Sequence, residues 1–203
     1  AGLKTELFDR RVRLNLAGFH ADYSGLQIIV NEGVAPKVRN AGEARVRGFE
    51  AELEAAIIDG VRFSGGVGYT DARYLEVDPR AVGVTVDSRF ANVPEWTATA
   101  GLSATLFETA LGSLSARGDW SFRSSHFKDA VNSPQTRQDA YSIVNASLTF
   151  EEADERWAIT AGATNLTDTR YLITGYQDLP VIGVATGTFA RPREWFVRGS
   201  VRF

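Results

Sequence analysis

Glu50, Glu52 and Glu54 are the first residues of this chain that could do chemistry together. At every second position they share one face of a strand, about 7 Å apart. That spacing makes a line of negative charge rather than a converging ligand set, because same-face carboxylates on one strand do not close on a single ion. Such a row can meet a basic surface or border a transport path. It can equally be a solvated wall with Arg62 nearby. His20 and His126 are the only histidines, so no His pair has metal-ligand spacing and no Ser/His/Asp arrangement can be drawn. Ser64-Gly65-Gly66-Val67-Gly68 has the glycine density of a phosphate loop, but a strand pattern continues where a helix N-terminus is required. With no Cys there is no thiolate site and no disulfide, which fits an oxidising compartment. No catalytic, metal-binding or cofactor-binding residue is assigned, and no enzyme activity is expected. The residues that remain as candidate small-molecule contacts lie in the long connections: Tyr74, Arg89, His126, Arg137, Tyr171, Tyr176 and Arg191.

The elements that must position these residues are strands. Phe49, Ala51, Leu53, Ala55 and Ile57 alternate with the glutamates, and Val61, Phe63, Gly65, Val67 and Tyr69 alternate with Arg62, Ser64, Gly66, Gly68 and Thr70. The same period of two runs through Trp96 to Leu106, Leu114 to Phe122, Val144 to Phe150, Trp157 to Ala163 and Trp195 to Phe203. The pattern predicts nine strands, at 3–8, 11–30, 37–58, 61–74, 95–107, 113–125, 140–150, 156–165 and 191–203. The second changes parity, from Val12, Leu14 and Leu16 to Ala17, Phe19, Ala21 and Tyr23; a β-bulge near Leu16-Ala17 or an inward aromatic cluster would each explain it. Between strands three and four, a three-residue loop pairs Ile57 with Val61 and leaves Gly60 free to take a positive φ. That register sets Glu54 opposite Ser64, Glu52 opposite Gly66 and Glu50 opposite Gly68, with Arg62 diagonal to Glu54 and within reach.

The apolar face meets either a protein interior or lipid. No apolar run approaches the roughly 20 residues of a spanning helix, but the strands have about the nine to eleven residues that a tilted strand needs to cross a bilayer. Tyr69, Trp96, Trp120, Phe122 and Trp195 fall near the loop ends; Phe63, Phe107, Phe150, Trp157 and Phe203 fall near the turn ends. These are the two aromatic girdles of a membrane barrel. Short turns alternate with long connections, which gathers the long ones at one end. The opposite face, rich in Gly, Ser, Thr, Glu and Arg, suits a watery or plugged lumen, with Glu50, Glu52, Glu54 and Arg62 facing it. The expectation is an all-β, antiparallel transmembrane barrel with outer-membrane lipid as its surroundings. A soluble β-protein is the rival. Nine strands cannot close on themselves, since the first and last run in the same direction, so strands that precede residue 1 are expected to complete the barrel. The net charge of -3, with no basic stretch, argues against a nucleic-acid partner. In a bacterial barrel the glycosylation patterns at Asn145 and Asn165 are coincidence.

Lys4-Thr5-Glu6-Leu7-Phe8, Arg13 to Phe19, Asn40-Ala41-Gly42 and Gly48-Phe49-Glu50 resemble consecutive barrel strands of TonB-dependent receptors. Asn92-Val93-Pro94 before Trp96, Asn165-Leu166-Thr167-Asp168 with Tyr171, and Arg191-Pro192-Arg193 leading to a terminal aromatic follow in the family's order. The resemblance implies that residues 1–203 are the C-terminal part of a barrel of about 22 strands, whose plug domain and N-terminal strands lie elsewhere in the protein. It implies an outer-membrane location in a Gram-negative bacterium, with loops outside and the C-terminus in the periplasm. Its implied partners are the plug, the TonB system, the barrel-assembly machinery and a small-molecule ligand such as an iron–siderophore complex. Trp195, Val197, Gly199, Val201 and Phe203 would be the assembly signal. Competing functions are a passive porin-like channel and an outer-membrane hydrolase, the latter needing a Ser/His or Asp/His constellation at the rim.

Overall fold

A computed structural model of the chain describes residues 1–32, 35–40, 42–79, 81, 83–179 and 183–202. In chain order the first strands are β1 (Gly2–Leu7), β2 (Val12–Ser24), β3 (Gln27–Glu32), β4 (Ala35–Asn40), β5 (Gly42–Ile58) and β6 (Val61–Val77). After a long connection come β7 (Trp96–Thr109), β8 (Gly112–Arg123), β9 (His126–Phe127), a one-turn 3-10 helix (Pro134–Thr136) and β10 (Arg137–Gln138). The chain continues through β11 (Tyr141–Glu152), β12 (Trp157–Thr164), β13 (Leu172–Asp178), β14 (Val184–Phe189) and β15 (Glu194–Val201).

Nine of these form one antiparallel sheet in the order β1-β2-β5-β6-β7-β8-β11-β12-β15. The other six pair as three two-stranded ribbons, β3-β4, β9-β10 and β13-β14, inside the connections at the loop end. The expected nine strands are therefore present, but the second and third are shorter than the pattern suggested. They leave the sheet at Ser24 and Gly42, with positive φ at Gly25 and Gly42, and the segment between folds as its own ribbon. The tip of that ribbon, including residues 33 and 34, lies outside the described residues, as does Phe203.

Register confirms the assignment of faces. Phe49 pairs with Tyr69 and Tyr69 with Trp96, while Phe63 pairs with Leu102, Leu102 with Gly118 and Ala161 with Val197. All lie on one side. Among the described residues nothing covers that side: Leu102 is 48% exposed and Val197 78%. An apolar surface of this size, with no second sheet over it, is stable against hydrocarbon and not against water. The rings cluster where girdles are expected. Phe49, Tyr69 and Trp96 form a triad with centroids 4.8 to 5.9 Å apart, and Phe150 and Trp157 lie 5.6 Å apart at the other end.

β2 pairs with β5 without any irregularity from Val12–Ala55 to Ser24–Glu43, so there is no bulge at Leu16-Ala17. The inward alternative fits instead, since Phe19 and Tyr23 share the inner face with Ala21, opposite Gly48, Ala44 and Val46. Below the triad the outward residues are apolar. Above it the outward residues are His20, Asp22, Arg45, Arg47, Asp71 and Arg73, and the inward ones are Ala21, Ala44, Val46, Ala72 and Tyr74. The sheet has left lipid. Its outer face now meets water and its inner face meets protein, because Tyr74, Ala81 and Val84 form a small core there with Leu26, Val77, Phe90 and Ala130.

The β5-β6 hairpin keeps the predicted pairs Glu54–Ser64, Glu52–Gly66 and Glu50–Gly68. Its closure differs. Ile58, not Ile57, is the partner of Val61, and the irregularity falls between Ala56 and Ile58. The positive φ at Gly60 is as expected. Gly48 is required for a different reason. A Cβ there would lie 1.9 Å from the Tyr69 carbonyl oxygen and 2.7 Å from the Phe19 ring, which is where the inward aromatic of β2 crosses the strand.

Two outcomes follow. Leu102→Arg should destabilise the protein in bilayers by about 2–4 kcal/mol, and the neighbouring inward Ser103→Arg by far less, as measured by denaturant titration. Gly48→Ala should cost about 1–3 kcal/mol through overpacking, read in the same titration.

Candidate functional site

The inner wall is polar and largely self-paired. Arg13 on β2 stands directly opposite Glu54 and reaches it at 3.5 Å, with Glu6 of β1 at 3.7 Å. Asn15 donates to Glu52 at 3.1 Å, and Arg117 grips Asp119 through two hydrogen bonds of 2.7 and 2.9 Å. Arg62 does not join Glu54, because the directly paired Arg13 takes that carboxylate and the diagonal residue is left out. Glu50 and Glu52 stand opposite Gly68 and Gly66, where an added Cβ would meet the glutamate stems only at ordinary contact distance, 3.9 Å. These rows bound an open recess lined by Arg13, Glu52, Glu54, Ser64, Thr99, Asp119 and Asn145.

Above this wall the long connections are stapled to one another. Asn132, with φ +61, donates from its side-chain amide to the Arg89 carbonyl at 2.8 Å and accepts from the Arg89 N–H at 2.5 Å. That pair joins the 78–95 segment to the 124–140 segment. Gln138, buried, accepts the Leu172 N–H at 2.6 Å and so ties in the third connection. Gly175 of β13 sits against the side chains of Lys128 and Thr136, and a Cβ there would approach both at 3.2 Å. At the base, buried Asn165 donates to the carbonyls of Thr169 and Arg191 and accepts the Thr169 N–H, while Asp168 accepts the Arg193 N–H at 2.8 Å. The Asn165 segment thus closes the connection onto β15. The Asn145 side chain accepts the Asn165 N–H, so both asparagines serve the fold.

Two ring stacks occupy this assembly. Tyr74 lies on Phe90 at 4.3 Å, and Tyr141 on Tyr171 at 4.4 Å, with His126 at 6.5 Å from Tyr141. His126 is 2% exposed. Its Nδ1 is 2.9 Å from the Ser124 carbonyl, which can only accept, so Nδ1 carries the proton and Nε2 accepts from the Lys128 ammonium at 3.0 Å. Burial, opposed by the Ser124 bond and reinforced by Lys128, Arg123 and Arg89, holds the imidazole below its usual range. Burial also lowers Lys128, with Arg123 adding to it.

The seven loop candidates are not one cluster. His126 and Tyr171 are joined through Tyr141. Tyr74 is buried in the loop core, and Arg89 is half-buried with Glu95 at 3.5 Å. Arg137, Tyr176 and Arg191 are exposed, each near an acid: Asp139 at 3.4 Å, Asp178 at 3.3 Å and Glu194 at 3.7 Å. The residues that organise the loops, Tyr141, Phe90, Asn132, Gln138 and Asn165, were not among the candidates. For Tyr141 a signal existed, since its parity with Ile143 and Asn145 is inward. Trp195, Val197, Gly199 and Val201 lie on the outer face of β15. Among the described residues no three His, Cys, Asp or Glu side chains come together as a metal site.

The histidine has a pH consequence. Its folded pKa is depressed, so the ordered loop binds fewer protons than the released one. Loop stability is full above the unfolded value of about 6.5 and declines as pH falls below it. Hydrogen exchange over residues 126–138, corrected for intrinsic rates, should therefore quicken from about pH 7.5 to about pH 5, and His126→Gln should flatten that dependence.

Comparison with known proteins fits this architecture. Residues 1–166 match the family model described as TonB dependent receptor-like, beta-barrel. The metal-pseudopaline receptor CntO of Pseudomonas aeruginosa is 30% identical over 95 residues, covering 47% of this chain and 13% of CntO. Among solved structures, the ferric yersiniabactin uptake receptor FyuA of Yersinia pestis superposes with a TM-score of 0.82 at 22% identity, over 100% of this chain and 29% of that one. The siderophore receptor PiuA of Acinetobacter baumannii gives 0.76 at 19% identity, over 98% and 27%. The chain thus spans less than a third of the length of each. With an open nine-stranded sheet, a bare apolar face and loops drawn in over a polar wall, it belongs to the TonB-dependent receptor β-barrel family.

Proposed function

We propose that residues 1–203 are the C-terminal part of the barrel domain of an outer-membrane import receptor, and that its cargo is a metal chelate of the siderophore type. The observation that carries this reading is the gathering of three long connections, pinned together by Asn132 and Gln138, on the inner side of the sheet above the polar wall. A vestibule held in one shape can select a bulky ligand. The neighbouring receptors for ferric and metal complexes supply the ligand class.

In this reading the loops face outside and the C-terminus faces the periplasm. Arg137, Tyr171, Tyr176 and Arg191 offer the contacts, while Tyr74, Arg89 and His126 support the loops that carry them. Glu50, Glu52, Glu54 and Arg62 border the path or the plug, and the outer face of β15 serves assembly. The rest of the receptor supplies the plug and the connection to the TonB system. A passive porin-like channel is not favoured, since an unregulated pore has no use for loops stapled across its mouth.

The test is uptake of radio-iron presented on a panel of siderophores, in cells whose only importer is the full-length receptor. One siderophore should be taken up, and uptake should cease when the energy-transducing system is removed. Tyr171→Ala should raise the Kd for that complex about tenfold, the effect of about 1.4 kcal/mol of lost stacking. Uptake that persists without energy input would sink the importer reading.

A further inference from the structure

Every charge that bears on His126 is positive. The Lys128 ammonium stands 3.0 Å from Nε2, and Arg123 of β8 and Arg89 of the 78–95 segment oppose a second proton from farther off. None of the acids on the neighbouring segments reaches it. Asp129 accepts the Ser133 N–H at 2.9 Å, Glu95 lies 3.5 Å from Arg89, and Asp139 lies 3.4 Å from Arg137. The other neighbours are neutral: Gln138 is the cross-strand partner on β10, and the Tyr141 ring of β11 is 6.5 Å away. Among the described residues no carboxylate offers the imidazole an ion pair.

The same imidazole is tied to the third long connection. Its Nδ1 proton is held by the Ser124 carbonyl, so a second proton goes to Nε2, the atom that accepts from Lys128. That proton removes the acceptor and sets an N–H against an ammonium. A side chain this buried cannot turn the new N–H to water unless its strand moves. Two supports of β13 rest on the same unit. Gln138, paired with His126 across β9 and β10, accepts the Leu172 N–H at 2.6 Å. Gly175 lies against Lys128 and Thr136, where even a Cβ would stand 3.2 Å from both. A shift of His126 and Lys128 therefore reaches both supports together.

We propose that His126 is an acid-operated catch: when it gains a proton it parts from Lys128, disturbs the β9–β10 ribbon and frees β13 from the helical turn at Pro134–Thr136. A buried histidine that changes charge beside a fixed cation is a switch of this kind. The docked state holds the imidazole neutral, and its burial and its cationic neighbours keep it there below the usual histidine range. Undocked, it titrates near the ordinary value of about 6.5. Docking is therefore fully favoured above that pH and is lost as pH falls toward the lower, docked value. The consequence for cargo rests on the import reading above: Tyr171 and Tyr176 are carried by the freed connection, so acid takes the vestibule out of shape.

Spin labels at Gln135→Cys and Thr186→Cys, both exposed positions, report the distance between the helical turn and the β13–β14 ribbon. They are placed in the full-length receptor with no other cysteine, and double electron–electron resonance is read from about pH 7.5 to about pH 5. One short distance should give way to a longer, broader population as pH falls. His126→Gln, whose amide can still donate to Ser124 and accept from Lys128, should keep the short distance throughout, which separates switching from misfolding. Lys128→Met keeps the length of the side chain and removes its charge, so the midpoint should rise by about one pH unit. An unchanged distance in the unsubstituted receptor, the same transition in His126→Gln, or an unmoved midpoint in Lys128→Met would each overturn the catch. No cargo is used, so a fixed ribbon sinks this proposal and leaves the import reading to the uptake assay.

Discussion

A backbone in hydrocarbon has no water to turn to, so every N–H and C=O must be answered by the chain itself. In this protein neighbouring strands answer them across an open sheet: eight strand pairings join β1 to β15, and apart from local irregularities in β5–β6 and β7–β8 each places successive side chains on opposite faces. The two-faced character of the sheet follows from that ladder. One face can be given entirely to lipid and the other to polar side chains without either compromising the backbone. The outward alanines and glycines between the girdles, such as Ala98, Ala100, Ala104 and Gly118, are tolerable for the same reason. They need only avoid polarity.

The level of the Phe49–Tyr69–Trp96 triad divides the molecule into two physical regimes. Below it, burial within the protein counts for little and the surroundings select apolar side chains for the outer face. Above it, ordinary aqueous folding resumes: the outer face takes charge, and the inner face builds a small core from Tyr74, Ala81 and Val84 under the returning loops. The strands pass through the boundary without changing register. It is the medium that changes, not the backbone.

That upper regime gives the loops their form. Asparagine and glutamine side chains, rather than a large apolar core, bind the connections to one another. Such links are directional and leave the exposed tyrosines and arginines at defined positions. A neutral, buried His126 with its proton committed to the Ser124 carbonyl belongs to the same economy of few but specific contacts. The import role proposed above needs loops that hold a shape and can still release it, and polar staples over a thin core suit both demands.

Much of this was legible in the residues alone. Alternation placed all nine sheet strands, and the faces of all but the second, since a period of two has one structural meaning. The odd-or-even sum of paired residues placed Glu50, Glu52 and Glu54 opposite Gly68, Gly66 and Ser64 before any coordinates. The parity change in β2 was visible too, but the choice between a bulge and inward aromatics was not: a pattern counts polarity and cannot see where the bilayer ends, and only the unbroken register shows Phe19 and Tyr23 turned inward. Tertiary structure alone decided that Arg13 rather than Arg62 takes Glu54, because direct pairing against β2 brings the one nearer than a diagonal brings the other. It alone brought Asn132 to Arg89 and Gln138 to Leu172, contacts between segments more than thirty residues apart. Alternation is a local property written into each strand. Which loop meets which is settled only when the strands are side by side.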